Sequence, residues 1–199
     1  MTIDIVTEVY TDGSSMGNPG KAGYGFVIKY YKWIDNIPKQ FIVTGNQGYR
    51  LSTNNRMEML GAIKALEKCL ELMGSNELET TRINVYSDSK LLIDAINQNW
   101  LPKWKANNWI NSSNNKVKNA DLWERIYRLI YDFKVKQISL VFNWIKGHVG
   151  FEYNELADSL ATKAAASNNF IIDDQYENDN KSIVYTNQKR FNRPLRKQF

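Results

Sequence analysis

A change of hydrophobic period part-way along the chain restricts its fold more than any other feature of the sequence. Apolar and polar residues alternate up to about Thr44, a pattern that is typical of strands with one buried face. This alternation predicts three strands, at residues 5–11, 23–31 and 41–44. Their connections are short, which favours an antiparallel meander. From about Asn55 onward, apolar residues recur at helical spacing instead.

Helices and strands alternate in the second part of the sequence. The helical spacing predicts helices at residues 55–72, 90–97, 121–133 and 154–166. Between them, alternation predicts two more strands, at residues 82–86 and 137–145. Strands that are separated by helices pair in parallel through crossover connections. The expected fold class is therefore α/β, with a mixed five-stranded sheet of three antiparallel strands followed by parallel strands, flanked by helices.

Two segments do not fit this pattern. Residues 100–119 contain four lysines, three of the six tryptophans and no acidic residue. Residues 167–199 form a C-terminal tail in which an acidic block precedes a basic block. The basic end either adds nonspecific nucleic-acid affinity or belongs to a solvated, disordered tail. We therefore predict one domain at residues 1–166, with a basic protrusion at about residues 100–119, and a tail at residues 167–199.

Composition narrows the expected location and partners. Lys and Arg outnumber Asp and Glu by 26 to 21, which favours a polyanionic partner without establishing one. The single cysteine, Cys69, excludes an intramolecular disulfide. The N-terminus lacks the basic start of a secretory signal, and no apolar run approaches the ~18 residues of a membrane span. We expect a cytoplasmic protein with no membrane partner.

Four acidic residues stand where side chains project from the ends of predicted elements. They are Asp12 and Asp88, which close the first and fourth strands, Glu58 in the first turn of a helix, and Asp158 in the last helix. Each alone has a structural explanation, as a turn residue, a helix cap or an exposed helix acid. Together they require a different explanation, because the predicted topology brings some of them to one place.

As parallel neighbours, the first and fourth strands would place Asp12 and Asp88 side by side at one edge of the sheet. Like charges at that distance repel unless a cation or a proton lies between them. Mg²⁺ prefers a few carboxylates with water and phosphate oxygens, and two such ions about 3.5–4 Å apart can promote phosphodiester cleavage. No Cys/His cluster competes as a zinc site, since His148 is the only histidine. A metal site for phosphoryl transfer is the interpretation that uses all four acids.

Five short motifs occur in an order that indicates a family. They are Tyr-Thr-Asp-Gly-Ser at residues 10–14, Thr-Asn-Asn-Arg-Met-Glu at 53–58, Tyr-Ser-Asp-Ser at 86–89, Trp-Ile-Lys-Gly-His-Val-Gly at 144–150 and Asn-Glu-Leu-Ala-Asp at 154–158. On these motifs the chain resembles type 1 ribonuclease H over most of its length. The resemblance implies an endonuclease that cuts the RNA strand of an RNA–DNA hybrid and leaves 5′-phosphate and 3′-hydroxyl ends. It also implies two Mg²⁺ ions per site, with Mn²⁺ as the alternative metal.

The resemblance assigns roles to individual residues. Asp12, Glu58, Asp88 and Asp158 match the family's metal-binding catalytic carboxylates, and His148 matches a histidine that assists proton transfer or product release. Substrate contacts are implied for residues beside the first helix, after the fourth strand and in the protrusion: Ser15, Asn18, Thr53, Asn54, Asn55, Lys90, Lys103, Trp104, Lys105 and Asn119.

One position departs from the family's pattern. The resemblance implies that Thr53 and Asn119 belong to a pocket for a phosphate of the DNA strand, in which the family has an arginine. Leu51 stands at the matching position, and Arg50 lies one residue earlier. One residue along a strand reverses the direction of the side chain. Affinity for the DNA strand is therefore the property that this departure affects.

The resemblance implies an RNA–DNA hybrid as partner, a monomeric protein and no small-molecule cofactor. Two alternatives stay open from the residues. The first is a module that binds hybrids without cutting them, and the second is a related nuclease domain of a mobile element. The four intact acids disfavour the first, because binding alone has no chemical need for them.

Overall fold

Three long strands are followed by alternating helices and strands in the computed structural model, which describes residues 5–147 and 150–181. The strands are β1 (Val6–Gly17), β2 (Gly20–Ile34), β3 (Ile37–Ser52), β4 (Arg82–Ser87), β5 (Ser139–Trp144) and β6 (Phe170–Ile171). The helices are α1 (Asn54–Gly74), α2 (Lys90–Asn97), α3 (Trp100–Ala106), α4 (Ala120–Val135), α5 (Glu152–Ala166) and α6 (Asp174–Asp179). None of the helices in this part of the chain has the length and apolar character needed to cross a membrane.

The strands form one mixed sheet in the order β5-β4-β1-β2-β3-β6. β1, β2 and β3 pair antiparallel, whereas β4 pairs in parallel with both β1 and β5. The predicted α/β class and mixed sheet are confirmed, but the predicted number of five strands is wrong, since the described residues form six. The additional strand, β6, pairs in parallel with Gly48 and Tyr49 of β3. A strand of two residues is too short for hydrophobic alternation to reveal.

The first hairpin is longer than the alternation predicts. β1 continues past Thr11 to Gly17, and its pairing with β2 includes Ser14 with Gly23 and Ser15 with Ala22. The segment that the turn-rich composition marks as a loop is therefore mostly paired. Backbone groups join the two strands, so the pairing continues after the alternation of side chains has stopped.

Glycines in the sheet allow α5 to lie directly against it. A Cβ atom at Gly23, Gly25 or Gly48 would collide with backbone atoms of α5. This close contact holds α5, which carries Asp158, beside β1, which carries Asp12. The hydrophobic core includes fully buried side chains of the sheet and of two other helices, α1 and α4.

Candidate active site

Three of the four predicted carboxylates meet where the parallel pairing of β1 with β4 ends. The last pair is Tyr10 of β1 with Tyr86 of β4, so Asp12 and Asp88, each two residues further along, lie at the same level. Glu58 reaches the same place from the first turns of α1. One carboxylate oxygen from each of these three acids lies within 4.8 Å of the other two. The predicted juxtaposition of Asp12 and Asp88 is therefore present in the structure.

The position of Glu58 depends on how closely α1 approaches β1. α1 begins after Thr53, whose hydroxyl oxygen accepts the backbone N–H of Arg56 and caps the helix. A Cβ atom at Gly13 would collide with backbone atoms of Met57 and Glu58, so only glycine permits this contact. The first turns of α1 therefore lie directly against β1 at Gly13, which places the Glu58 carboxylate beside Asp12.

Hydrogen bonds orient two of the carboxylates. The backbone N–H of Gly13 donates to Asp12 Oδ1 at 2.7 Å, and the side-chain amide of Asn54 donates to Glu58 Oε1 at 3.2 Å. The second oxygen of Glu58, Oε2, is buried and has no hydrogen-bond partner among the described residues. A buried oxygen of this kind normally has a partner, so this one marks a position for a cation or a proton.

Burial and mutual repulsion favour the neutral forms of Asp12 and Glu58 when no cation is present. Asp12 is 7% exposed and Glu58 is 5% exposed. Burial and the neighbouring Asp88 raise the pKa of Asp12 to about 7, and Asp158 contributes in the same direction. Burial and the charges of Asp12 and Asp88 raise the pKa of Glu58 well above its usual value. Because hard oxygen donors with unbalanced negative charge are the ligands that Mg²⁺ prefers, the cluster fits a divalent cation.

The other two residues that the sequence predicts to be catalytic are Asp158 and His148. Asp158 lies on α5 and accepts a hydrogen bond from Thr162 Oγ1 at 3.3 Å. Its charge acts on Asp12, but its carboxylate is not among the oxygens that lie within 4.8 Å of one another. His148 lies outside the described residues. The residue before it, Gly147, packs against the Asp88 carboxylate, where a Cβ atom would collide with Oδ2.

The predicted substrate residues beside α1 surround a polar cavity of about 530 Å³. Asn18, Thr53, Asn55 and Asn119 line it, together with two exposed lysines, Lys116 and Lys118. The side-chain carbonyl of Asn18 accepts the backbone N–H of Asn54 at 3.3 Å, which ties the turn after β1 to the start of α1. Ser15 lies on β1, opposite Ala22 of β2, and does not line this cavity.

The remaining predicted contacts lie on the other side of the acids and in the protrusion. Lys90 Nζ lies 5.0 Å from the ring centre of Trp144, whose indole N–H donates to the backbone carbonyl of Asp88 at 3.0 Å. Lys103 and Trp104 line a second cavity of about 520 Å³. Lys105 forms an ion pair with Glu124 at 2.7 Å.

Leu51 and Arg50, at and beside the position of the family's arginine, point in opposite directions from β3. Leu51 is buried in the core, and Arg50 points away from it, as the alternation along β3 requires. The Arg50 guanidinium is bound by Glu177, with Nε 2.8 Å from Oε1. Arg50 is therefore paired with the protein's own Glu177 and is not among the residues that line the cavity of Thr53 and Asn119.

Sequence reasoning missed the role of Arg56, which lies inside one of the five motifs. Its guanidinium is 3% exposed and binds the carboxylates of Asp121 and Asp173. Both acids are far from Arg56 in the sequence. The only signal was a basic residue within an apolar helical stretch, and that signal does not identify a partner.

A mixed sheet with a group of carboxylates beside its parallel strands defines an α/β protein with an acidic cluster suited to a divalent cation. The family model described as RNase H matches residues 5–166 of the chain. The ribonuclease H of Rippkaea orientalis is 40% identical over 174 residues, which cover 85% of this chain and 91% of that protein. The chain belongs to the RNase H family, and it is a nucleic-acid hydrolase.

Solved structures agree with this assignment. LC9-RNase H1, described as a type 1 RNase H with the type 2 active-site motif, has a TM-score of 0.65 at 24% identity, covering 83% of this chain and 74% of that one. LC11-RNase H1, solved in complex with an RNA/DNA hybrid, has a TM-score of 0.54 at 26% identity, covering 80% and 96%. The resemblance to type 1 ribonuclease H is confirmed.

We expect the metal-free protein to lose stability relative to an Asp12→Asn variant as the pH rises from about 4 to about 7. The pKa of Asp12 is raised from 3.8 to about 7 on folding, so the unfolded chain releases this proton first. Deprotonation over that window therefore favours the unfolded state, and the difference levels off above it. Thermal melts of both proteins in EDTA measure this difference, and a difference that is constant across the window would contradict the prediction.

Proposed function

We propose that this protein is an endoribonuclease that hydrolyses the RNA strand of RNA–DNA hybrids with divalent cations held by Asp12, Glu58 and Asp88. The observation that supports this most directly is the group of three carboxylates, from three different elements, with oxygens within 4.8 Å of one another. Two of them are buried, and burying several carboxylates together without a cation or a proton is unfavourable. A fold does not need such an arrangement, whereas metal-assisted phosphodiester hydrolysis uses one.

The metal we propose is Mg²⁺, with Mn²⁺ as a substitute and two ions per site. When bound, such ions lower the pKa of a water and neutralise the charge that develops on the oxygen that leaves. The protein's own part is to hold its ligands in place beforehand: Gly13 fixes Asp12, and Asn54 fixes Glu58. We propose that Asp158 completes the ligand set and that His148 assists proton transfer or product release. The products would carry 5′-phosphate and 3′-hydroxyl ends.

We propose that the polar residues around the start of α1 distinguish the two strands of the hybrid. Ser15, Asn18, Asn54 and Asn55 would contact the minor groove, where the 2′-hydroxyl separates RNA from DNA. Asn54 also donates to Glu58, so a contact there connects strand recognition to the carboxylate cluster.

Thr53 and Asn119 are suited to hold a phosphate of the DNA strand. The Thr53 hydroxyl oxygen accepts the backbone N–H of Arg56, and the Asn119 carbonyl oxygen accepts from Arg56 Nη1, both at 3.4 Å. The hydroxyl hydrogen and the amide hydrogens are then left for the cavity that both residues line. Lys116 and Lys118 add positive charge to the same cavity.

The protrusion would contribute phosphate contacts that do not depend on sequence. The Trp104 ring lies 5.6 Å from the ring centres of both Trp100 and Trp123, so it anchors the protrusion to α4. Lys103 lines the cavity beside it and is exposed. Lys105 is paired with Glu124, and Lys90 lies against Trp144. We propose that these lysines bind the nucleic-acid backbone.

A cleavage assay tests the proposed function. A hybrid, duplex RNA, duplex DNA and branched DNA of one sequence are incubated with Mg²⁺, with Mn²⁺ or with EDTA. We expect cleavage of the RNA strand of the hybrid alone, only with metal, and products that a ligase accepts after a complementary splint is added. Cleavage in EDTA, or equal cleavage of duplex or branched DNA, would refute the proposal. Binding of the hybrid without any product would favour a non-cleaving module instead.

A further inference from the structure

The described residues beyond α5 form a strap along the edge of the domain. This C-terminal strap, residues 170–181, consists of β6, which pairs with β3, and the short helix α6. Asp173 caps α6 by accepting the backbone N–H of Tyr176 at 3.4 Å. The side chains of the strap then form one wall of the cavity that also contains Thr53 and Asn119.

The strap is fastened by a buried ion pair between Asp173 and Arg56. The two residues are 5% and 3% exposed, and the guanidinium binds the carboxylate with two bonds, Nε to Oδ2 at 2.7 Å and Nη2 to Oδ1 at 2.8 Å. Ser52 Oγ donates a further bond of 2.7 Å to Asp173 Oδ2. Paired bonds of this kind fix the direction of the guanidinium plane as well as its position.

Arg56 connects the strap to the two groups that face the cavity. Its Nη1 donates to Asn119 Oδ1, and Asp121 binds Nη1 and Nη2 at 3.0 and 2.8 Å. Its backbone N–H donates to Thr53 Oγ1. The orientation of the Arg56 guanidinium therefore determines which atoms of Asn119 remain as donors toward the cavity, whereas Thr53 is held by the helix backbone.

We propose that Asp173 is a positioning residue for nucleic-acid binding, which acts by holding the guanidinium of Arg56 so that the Asn119 amide donates, beside Thr53, to a phosphate of the DNA strand. This inference rests on the proposed function of that cavity. The negative charge of Asp173 is itself directed at Arg56 and Ser52 and is buried, so its main effect is on geometry. Asp173, which follows the last long helix, α5, then contributes to the hybrid-binding site through its bonds to Arg56.

Asp173→Asn tests the proposal, with Asp174→Asn as the matched control. Both variants remove one negative charge from neighbouring positions of the strap, but Asp174 is exposed. We expect Asp173→Asn to raise KM and the Kd for hybrid roughly fivefold, the factor that corresponds to weakening one hydrogen bond, with kcat within about twofold. Asp174→Asn should leave all three values unchanged. Ser52→Ala, which removes one bond to Asp173, should produce a smaller change in the same direction.

Hybrids that carry one neutral methylphosphonate, moved along the DNA strand, separate positioning from a general loss of structure. Wild type should bind more weakly when one particular phosphate is neutral. Asp173→Asn already lacks that contact, so making the same phosphate neutral should not weaken its binding further. The inference would be overturned if the two Asn variants had equal KM and Kd values, or if Asp173→Asn had a lower Kd than wild type. It would also be overturned if each neutral phosphate weakened the binding of Asp173→Asn and of wild type equally at every position. If wild type cleaves the hybrid but tolerates every neutral phosphate, the cavity does not bind one, and the inference is refuted together with that part of the proposed function.

Discussion

Asp12→Asn is expected to lower metal-dependent cleavage of the hybrid by about a thousandfold or more, the largest effect on activity that we expect from any single substitution. The charge of Asp88 acts on Asp12, and the charge of Asp12 acts in turn on Glu58, so Asp12 interacts with both other acids of the cluster. Asparagine keeps the shape of the side chain, and its carbonyl can still accept from the Gly13 N–H. It removes the negative charge that a divalent cation needs. The variant should therefore bind the metal more weakly and stabilise less of the charge that develops during hydrolysis.

The control for this prediction is Asp132→Asn, which removes an acid from the exposed face of α4. Initial rates on a labelled hybrid in Mg²⁺ should be the same for this variant as for wild type. Circular dichroism of the Asp12→Asn protein should match that of folded wild type, and its metal-free melting temperature should exceed that of wild type at neutral pH. Rates for Asp12→Asn within about tenfold of wild type would rule out a role of Asp12 as a central ligand.

Much of the active site could be predicted because it lies at the ends of regular elements. Strand alternation ends at Asp12 and near Asp88, and parallel pairing of neighbouring strands requires these two ends to coincide. Glu58 follows from the position of a helix that starts at a clear boundary. Strand alternation and helix boundaries in the sequence therefore predict most of the site, and the register between the parallel strands determines how its residues meet.

The C-terminal strap could not be predicted in this way. Asp173 and Glu177 belong to an acidic block that indicates a solvated tail when it is read alone. Their burial depends on Arg56 and Arg50, which lie 117 and 127 residues earlier in the chain. A charged pair separated by that distance leaves no periodic signal, because neither member alone shows which charge it will face. The two-residue strand β6 could not be predicted for a related reason. It is a strand because it pairs with β3, and its composition gives no signal of this.

Arg56→Ala is expected to have the largest effect on stability, with a loss of about 3–5 kcal/mol in the free energy of unfolding. The substitution leaves Asp173 buried without its cation and removes the bonds that join α1, α4 and the C-terminal strap. Arg125→Ala is the matched control, because Arg125 pairs with Glu67 at 2.6 Å but both side chains are more than one third exposed. Water replaces that pair, so its loss should cost about 1 kcal/mol or less. Urea denaturation of the two variants and wild type gives both values.

The double variant Arg56→Met with Asp173→Leu separates stability from positioning. Neither charge is then left buried without a partner, and apolar side chains of similar volume often restore the stability that a broken ion pair loses. Asp121 keeps contact with water, since its side chain is 31% exposed. We expect the double variant to recover most of the unfolding free energy that Arg56→Ala loses, while its Kd for hybrid stays raised, because Asn119 no longer has the guanidinium that orients it. A double variant that regains wild-type affinity together with its stability would show that the ion pair serves the fold alone.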